Sequence, residues 1–90
     1  MIDDYVSDLC DKYSHFGEFL SQEFADQGVS KRSVARNGCS TAMVSRVMSG
    51  KMNIGPVASA AFGKALNAPP DHYEKLFRLF QAEKARRNKV

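Results

Sequence analysis

The chain has 90 residues and a mass of 10.0 kDa, with 43% hydrophobic and 26% charged residues. This is the size of one small domain, and the composition excludes a disordered or collagen-like protein. The net charge is +3, and two cysteines are too few for a disulfide framework or a four-cysteine zinc site. No apolar run is long enough to span a membrane, and the acidic start at residues 1–5 does not look like a signal peptide. We therefore expect a cytoplasmic protein with no membrane partner.

The charges are divided unevenly along the chain. Residues 1–27 contain seven acidic residues and one basic residue, whereas residues 28–70 contain six basic residues and no acidic one. Residues 71–90 contain six basic and three acidic residues. A segment as long as 28–70 without a carboxylate is typical of a surface that faces a polyanion. The acidic block must then lie on another side of the domain or face a partner protein.

The first 28 residues show two apolar stripes at helical spacing. The first stripe predicts an amphipathic helix, and its members are Ile2, Tyr5, Val6, Leu9, Cys10 and Tyr13. Ser14 can cap a second helix, or the first helix can continue through it. The second stripe consists of Phe16, Phe19, Leu20 and Phe24, and Gly28 is a good C-terminal stop.

The central segment predicts two short helices. Ser30 is suited to cap a helix over 31–37, and Ser40 a helix over 41–49. Asn37 and Gly38 form a turn signal between them. The residues expected to face inward are Val34 and Ala35 in the first helix, and Val44, Val47 and Met48 in the second.

Two longer helices follow. A loop at 53–55 leads to Pro56, which suits the first position of a helix over 56–67. Its expected buried side consists of Ala61, Phe62, Ala65 and Leu66. Pro69 and Pro70 then break the chain before a helix over 71–87, whose apolar residues are Tyr73, Leu76, Phe77 and Phe80, and we expect the end after Ala85 to fray. No segment alternates with period two, so the prediction is an all-α fold of five or six helices.

Two short helices joined by a glycine turn have the geometry of a helix-turn-helix. The second helix starts at a small hydroxyl residue, so its N-terminus can approach a DNA groove closely. Its outward residues are small or basic, and none is acidic. They are Thr41, Ala42, Ser45, Arg46 and Ser49.

The run from Val29 to Lys51 resembles the Cro/C1-type (lambda-repressor-like, XRE) helix-turn-helix family. The most specific match is Met43-Val44-Ser45-Arg46-Val47-Met48-Ser49-Gly50-Lys51, and the similarity extends from about Phe16 to about Phe80. The resemblance implies a compact five-helix DNA-binding domain over 14–83, with an N-terminal helical extension over 1–13 and a basic tail over 84–90. It also implies a bacterial or phage-encoded protein that binds an inverted-repeat operator in double-stranded DNA as a homodimer.

The same resemblance assigns roles to residues. Thr41, Ala42 and Ser45 match positions that face base edges, and Arg46 and Ser49 lie further along that side. Arg46 can either fork onto a guanine or clamp a phosphate. The expected phosphate contacts are Ser30, Lys31, Arg32, Ser40, Lys51 and Asn53, where helix-start backbone N–H groups add to the side chains.

One departure from the family concerns the first helix of the pair. The family usually has a small residue, often alanine, with three residues between it and the turn glycine, whereas only two separate Ala35 from Gly38. Either this helix is one residue short, or Val34 takes the alanine position. In the second case Ser33 and Asn37 occupy positions where apolar residues are usual.

The expected function is a small sequence-specific transcriptional regulator, a repressor or autoregulator of a phage, plasmid or integrative element. The alternative is an antitoxin or antiactivator whose acidic N-terminal helices bind a partner protein. We expect no enzyme activity, cofactor or metal site, because His15 and His72 stand alone and no acid–nucleophile set accompanies them. The dimer candidates are Leu76, Phe77, Leu79 and Phe80, and the stripe from Ile2 to Tyr13 is the rival candidate.

Overall fold

Residues 2–88, which the computed structural model describes, form six α-helices. They are α1 (Ile2–Lys12), α2 (Phe16–Gln27), α3 (Lys31–Ala35), α4 (Thr41–Met48), α5 (Pro56–Leu66) and α6 (His72–Asn88). No strand occurs in this part of the chain, so the predicted all-α class is confirmed. None of these helices combines the length and apolarity needed to cross a membrane. Met1, Lys89 and Val90, together with the side chains of Ile2 and Asp3, lie outside the described residues.

One hydrophobic core joins all six helices. Phe16 belongs to it, with its ring centroid 5.3–5.6 Å from those of Phe19, Phe77 and Phe80. Helix α1 contributes Val6, Leu9 and Cys10, which are at most 5% exposed, to this same core. Helix α1 is therefore packed into the helix bundle through these three side chains.

The C-terminal end of α6 is fastened to α1 by polar contacts. The Lys84 ammonium donates to the Cys10 carbonyl at 3.1 Å, and the Arg87 guanidinium donates to the Asp11 carboxylate at 2.5 Å. Arg87 also donates to the Ser7 hydroxyl at 2.7 Å. The prediction that the helix frays after Ala85 is therefore wrong: α6 continues to Asn88, because its basic residues have partners on α1.

The carboxylate of Glu83 connects these basic residues, which gives a prediction for acid stability. Hydrogen bonds from Arg86 and Arg87 lower the pKa of Glu83 to about 2, from an ordinary value of 4.5. A depressed pKa means that ionised Glu83 stabilises the fold above pH 4.5, and that this contribution is lost as the pH falls towards 2. We expect the stability difference between wild type and Glu83→Gln to be largest near neutral pH and to close over this window. Urea unfolding at several pH values measures it, and a pH-independent difference would contradict the pairing.

The predicted helix caps at the centre of the chain are confirmed. The Ser30 hydroxyl accepts from the Ser33 N–H at 3.2 Å, and the Ser40 hydroxyl accepts from the Met43 N–H at 3.1 Å. Gly28 ends α2 with φ of +65°, a left-handed conformation that favours glycine. Each of these signals acts within a few residues of the chain, so the sequence is sufficient to find it.

The first two helices are separate, so the first helix does not continue through Ser14. Helix α1 stops at Lys12, and α2 starts at Phe16 with His15 as its N-cap residue. The Glu18 carboxylate accepts the backbone N–H of Ser14 at 3.0 Å and that of His15 at 3.3 Å, and it also accepts the Ser14 hydroxyl. These contacts, led by the Ser14 hydroxyl, lower the pKa of Glu18. Ser14 thus supports the start of α2 through Glu18 rather than by capping it directly.

Some predicted boundaries and inward positions differ from the structure. Helix α3 ends at Ala35 rather than at residue 37, and α4 ends at Met48 rather than at residue 49. Four residues expected to face inward are only partly buried, namely Ala35, Met48, Ala65 and Phe77. They lie at the margins of the helix faces, where neighbouring helices cover only part of each side chain.

Candidate nucleic-acid interface

Helices α3 and α4 form a short helix pair joined by residues 36–40. Val34 is fully buried in α3, whereas Ala35 is only partly buried. The Asn37 amide donates to the Ser33 carbonyl at 2.8 Å, and Gly38 turns the chain with φ of +105°. Helix α3 is thus short, and Val34 is its inward residue, with the partly buried Ser33 and Asn37 bonded to each other.

Helix α4 is held in place from its inner side. Val44 is fully buried and Val47 is 3% exposed. At the C-terminal end of α4 the backbone touches α2, because a Cβ built on Gly17 would lie 2.0 Å from the Met48 carbonyl oxygen. Gly17 was not among the predicted site residues, and its one signal in the sequence is a glycine inside an apolar helical stripe. This contact fixes the position of α4 on the core.

The outer side of α4 carries the predicted base-facing residues. Thr41, Ala42, Arg46 and Ser49 are exposed, and Ser45 between them is partly buried. The Ser49 hydroxyl donates to the Arg46 carbonyl at 3.2 Å, so its proton already has an acceptor at the C-terminal end of α4. The five residues form one polar, acid-free side of α4 that is accessible from outside the molecule.

The basic residues of 28–70 differ from those of α6 in their partners. All six are exposed, and within residues 2–88 none is in an ion pair: Lys31, Arg32, Arg36, Arg46, Lys51 and Lys64. On α6, by contrast, Lys75 pairs with Asp71 at 2.9 Å and Arg78 with Glu74 at 3.2 Å. The positive charge around α3 and α4 is therefore available to an external anion. Arg36 and Lys64 belong to this set although they are not among the predicted phosphate contacts.

The predicted phosphate contacts lie on exposed positions around α4. Ser30, Lys31, Arg32, Ser40, Lys51 and Asn53 are all exposed. The loop that carries Lys51 is tied to α4, because the Lys51 N–H donates to the Arg46 carbonyl at 2.9 Å. Ile54, 4% exposed, anchors the far end of this loop in the core. Lys51 and Asn53 therefore project from a short segment that is anchored at both ends.

The predicted dimer residues do not share a surface. Leu76 is 6% exposed and Phe80 is 3% exposed, both in the core, and Phe77 packs against Phe16. Leu76 and Phe80 are core residues and Phe77 is partly buried against the core, because α6 contacts both α1 and α5. Leu79 alone of the four is exposed, at 41%.

Leu79 and Tyr5 line one groove between α1 and α6. Tyr5 is 48% exposed, and the groove has a volume of about 350 Å³ with a mainly apolar lining that includes Pro69 and His72. Tyr5 comes from the N-terminal stripe and Leu79 from the C-terminal cluster. The two rival candidates for a dimer contact therefore meet at a single surface.

The acidic residues of the N-terminal block 1–27 whose side chains are described lie along α1 and α2. Asp4, Asp8, Asp11 and Asp26 are exposed, and Glu23 is partly buried. Asp11 is engaged by Arg87, whereas Asp4, Asp8, Glu23 and Asp26 form no ion pair within the described chain. The carboxylates therefore belong to helices other than those that carry the free cations.

Comparison of the chain with protein-family models, with curated proteins and with solved structures finds no match. The chemistry of the surface around α4 is therefore inferred from the chain's own residues. These are small and basic side chains along α4, with free cations before and after it in the chain.

Proposed function

We propose that this chain is a small sequence-specific DNA-binding transcriptional regulator with a lambda-repressor-like, Cro/C1-type helix-turn-helix formed by α3 and α4. The observation that carries the proposal is the set of six exposed basic side chains on residues 28–70, all without an ion pair in the described structure. Exposed cations without internal partners release counterions from DNA when they meet phosphates, and this supplies affinity.

Base recognition is assigned to the outer side of α4, placed in the major groove. The methyl groups of Thr41 and Ala42 suit contact with thymine methyls, Ser45 can donate or accept, and Arg46 can fork onto a guanine. Small side chains bring the helix backbone close to the base edges but offer few hydrogen bonds. We therefore expect modest base discrimination, with DNA shape contributing to specificity.

Phosphate contacts are assigned to the ends of the helix pair. Lys31 and Arg32 lie at the start of α3, and Lys51 and Asn53 follow α4. The Ser40 hydroxyl is occupied by the Met43 N–H, which leaves other backbone N–H groups in the first turn of α4 free to face a phosphate. Contacts on both sides of α4 would set its orientation in the groove.

In this proposal the protein acts as a homodimer on an inverted repeat and serves as a repressor or autoregulator of a phage, plasmid or integrative element. The groove lined by Tyr5 and Leu79 supports a dimer, since it exposes two large apolar side chains side by side. Small domains gain stability when such surfaces are covered by a second copy.

Selection of binding sites from random duplex DNA, followed by a salt titration on the enriched sequence, tests the proposal. We expect an inverted repeat with half-sites about one helical turn apart and a steep loss of affinity with salt. Weak binding at low salt without an enriched motif would contradict it.

Arg46→Ala separates the two roles open to this arginine. If Arg46 binds a guanine, the variant should lose about 1–3 kcal/mol of affinity for the selected site and should relax specificity at one position. If it clamps a phosphate, all sequences should weaken equally and the salt slope should fall by about one. Binding titrations on matched and mismatched sites measure the difference, and unchanged affinity would remove Arg46 from the interface.

Leu79→Glu tests the dimer surface. A charge in the groove beside Tyr5 should shift the protein from dimer to monomer in light scattering, because burying a carboxylate against apolar side chains costs more than an ion pair with the exposed Lys75 recovers. Val57→Glu is the matched control, since Val57 is 60% exposed on α5 and does not line the groove. A dimer that survives Leu79→Glu would place the interface elsewhere.

The second candidate function is an antitoxin or antiactivator that binds a basic partner protein through α1 and α2. The exposed and unpaired carboxylates of Asp4 and Asp8, near the exposed Tyr5 ring, favour it. Co-purification of a basic partner that is lost in an Asp4→Asn, Asp8→Asn double variant would support this function.

A further inference from the structure

A cleft of about 450 Å³ lies between the start of α2, the loop after α4 and the C-terminal half of α6. This volume falls within the range of small-molecule sites. The cleft shares no lining residue with the groove of Tyr5 and Leu79, and it adjoins the proposed DNA surface through Asn53. Its apolar lining includes Ile54, Phe77 and Phe80.

The charge that lines the cleft is positive. The described residues that line it include amide side chains such as Asn53 and Gln81 but no aspartate or glutamate, and Lys84 is the one lysine or arginine among them. The Lys84 ammonium uses one donor on the Cys10 carbonyl at 3.1 Å and lies 5.5 Å from the centre of the Phe80 ring. An ammonium has three donors, so two are left for a ligand. The chemistry that fits is one carboxylate attached to an aromatic or apolar body.

The cleft also touches the segment that follows α4. Gly50, Asn53 and Ile54 line it, and Gly50 is packed so closely that an added Cβ would lie 3.2 Å from the His15 ring. Lys51 and Asn53, two of the proposed phosphate contacts, belong to this same segment. A ligand that fills the cleft would therefore contact this segment as well as Lys84.

We propose that this cleft binds a small aromatic monocarboxylate, with its carboxylate on Lys84 and its ring on the partly buried Phe77. The bound carboxylate weakens DNA binding through the segment from Gly50 to Ile54. The effect on DNA depends on the proposed function, whereas binding of the carboxylate does not.

The first experiment uses 4-phenylbutyrate as the probe and 4-phenylbutan-1-ol as its neutral analogue, in amide NMR titrations of the whole protein without DNA. For a ligand of this size we expect a Kd on the order of 1 mM. Shifts should concentrate at Gly50, Asn53 and Gln81. The alcohol should bind about tenfold more weakly, because it lacks the charge that Lys84 pairs with.

Two variants distinguish binding of the carboxylate in the cleft from nonspecific binding elsewhere on the protein. Lys84→Gln keeps a donor for the Cys10 carbonyl but removes the charge, so it should bind the carboxylate about tenfold more weakly and the alcohol as before. Lys12→Gln removes a lysine that is exposed on α1 outside the cleft, and it should bind both as wild type does. The proposal would be overturned if the acid and the alcohol bind equally well, or if the amide shifts occur outside the cleft. It would also be overturned if Lys84→Gln binds the carboxylate as tightly as wild type does.

The second experiment adds DNA carrying the selected site. The carboxylate should weaken DNA binding by wild type several-fold and should leave Lys84→Gln unaffected. If the carboxylate binds but no DNA motif is enriched, the proposed function fails while the site stands. If DNA binds specifically and the carboxylate does not, the site fails while the proposed function stands.

Discussion

A Gly17→Ala variant is expected to lose about 3 kcal/mol of unfolding free energy, a large effect for a single methyl group. The added Cβ would lie 2.0 Å from the Met48 carbonyl oxygen and 2.5 Å from its carbon. These are backbone atoms, so no side-chain rotation relieves the overlap, and α2 must move away from α4. The better helix propensity of alanine returns only about 1 kcal/mol. Urea unfolding followed by circular dichroism measures the loss.

Gly55→Ala is the matched control for this prediction. Gly55 has φ of −102°, which any residue adopts, and no atom lies within 4 Å of its added Cβ. Its unfolding free energy should change by less than about 1 kcal/mol, the scale of a helix-cap substitution. A Gly17→Ala protein as stable as Gly55→Ala would mean that α2 and α4 are not in backbone contact.

A Ser45→Glu variant is expected to lose sequence-specific DNA binding while keeping its fold. Ser45 lies at the middle of the outer side of α4, between Ala42 and Arg46. A carboxylate there would face the phosphates and base edges, and like-charge contacts of this kind cost several kcal/mol. Glutamate forms helices at least as well as serine does, so helical content and melting temperature should change little. Binding to the selected DNA and circular dichroism are measured on the same preparation.

Ser21→Glu controls for the change in net charge. Ser21 is exposed on α2, so the substitution adds the same charge outside the proposed interface. This variant should keep most of the wild-type affinity. If it loses as much as Ser45→Glu, the effect comes from net charge alone, and if Ser45→Glu still binds, α4 is not the recognition helix.

Local chemistry explains why most helix starts were predictable. A hydroxyl at Ser30 or Ser40 bonds to an N–H three residues later, and Gly28 adopts a conformation that few other residues tolerate. The early end of α3 was missed because the Asn37 amide bonds to the Ser33 carbonyl instead of continuing the helix. The late end of α6 was missed because Arg87 bonds to Ser7 and Asp11 across more than 70 residues of chain.

By itself, the sequence determined the helical class, the caps, the acid-free segment 28–70 and the residues on the outer side of α4. Only the tertiary structure decided which basic side chains form ion pairs. Arg46 is exposed without an ion pair among the described residues, whereas Arg87 pairs with Asp11 on α1. The tertiary structure also decided that Leu76 and Phe80 are buried while Leu79 is exposed beside Tyr5. The physical reason is that helical periodicity defines the faces of α6, whereas the packing of α1 and α5 against it determines how many of those faces are covered.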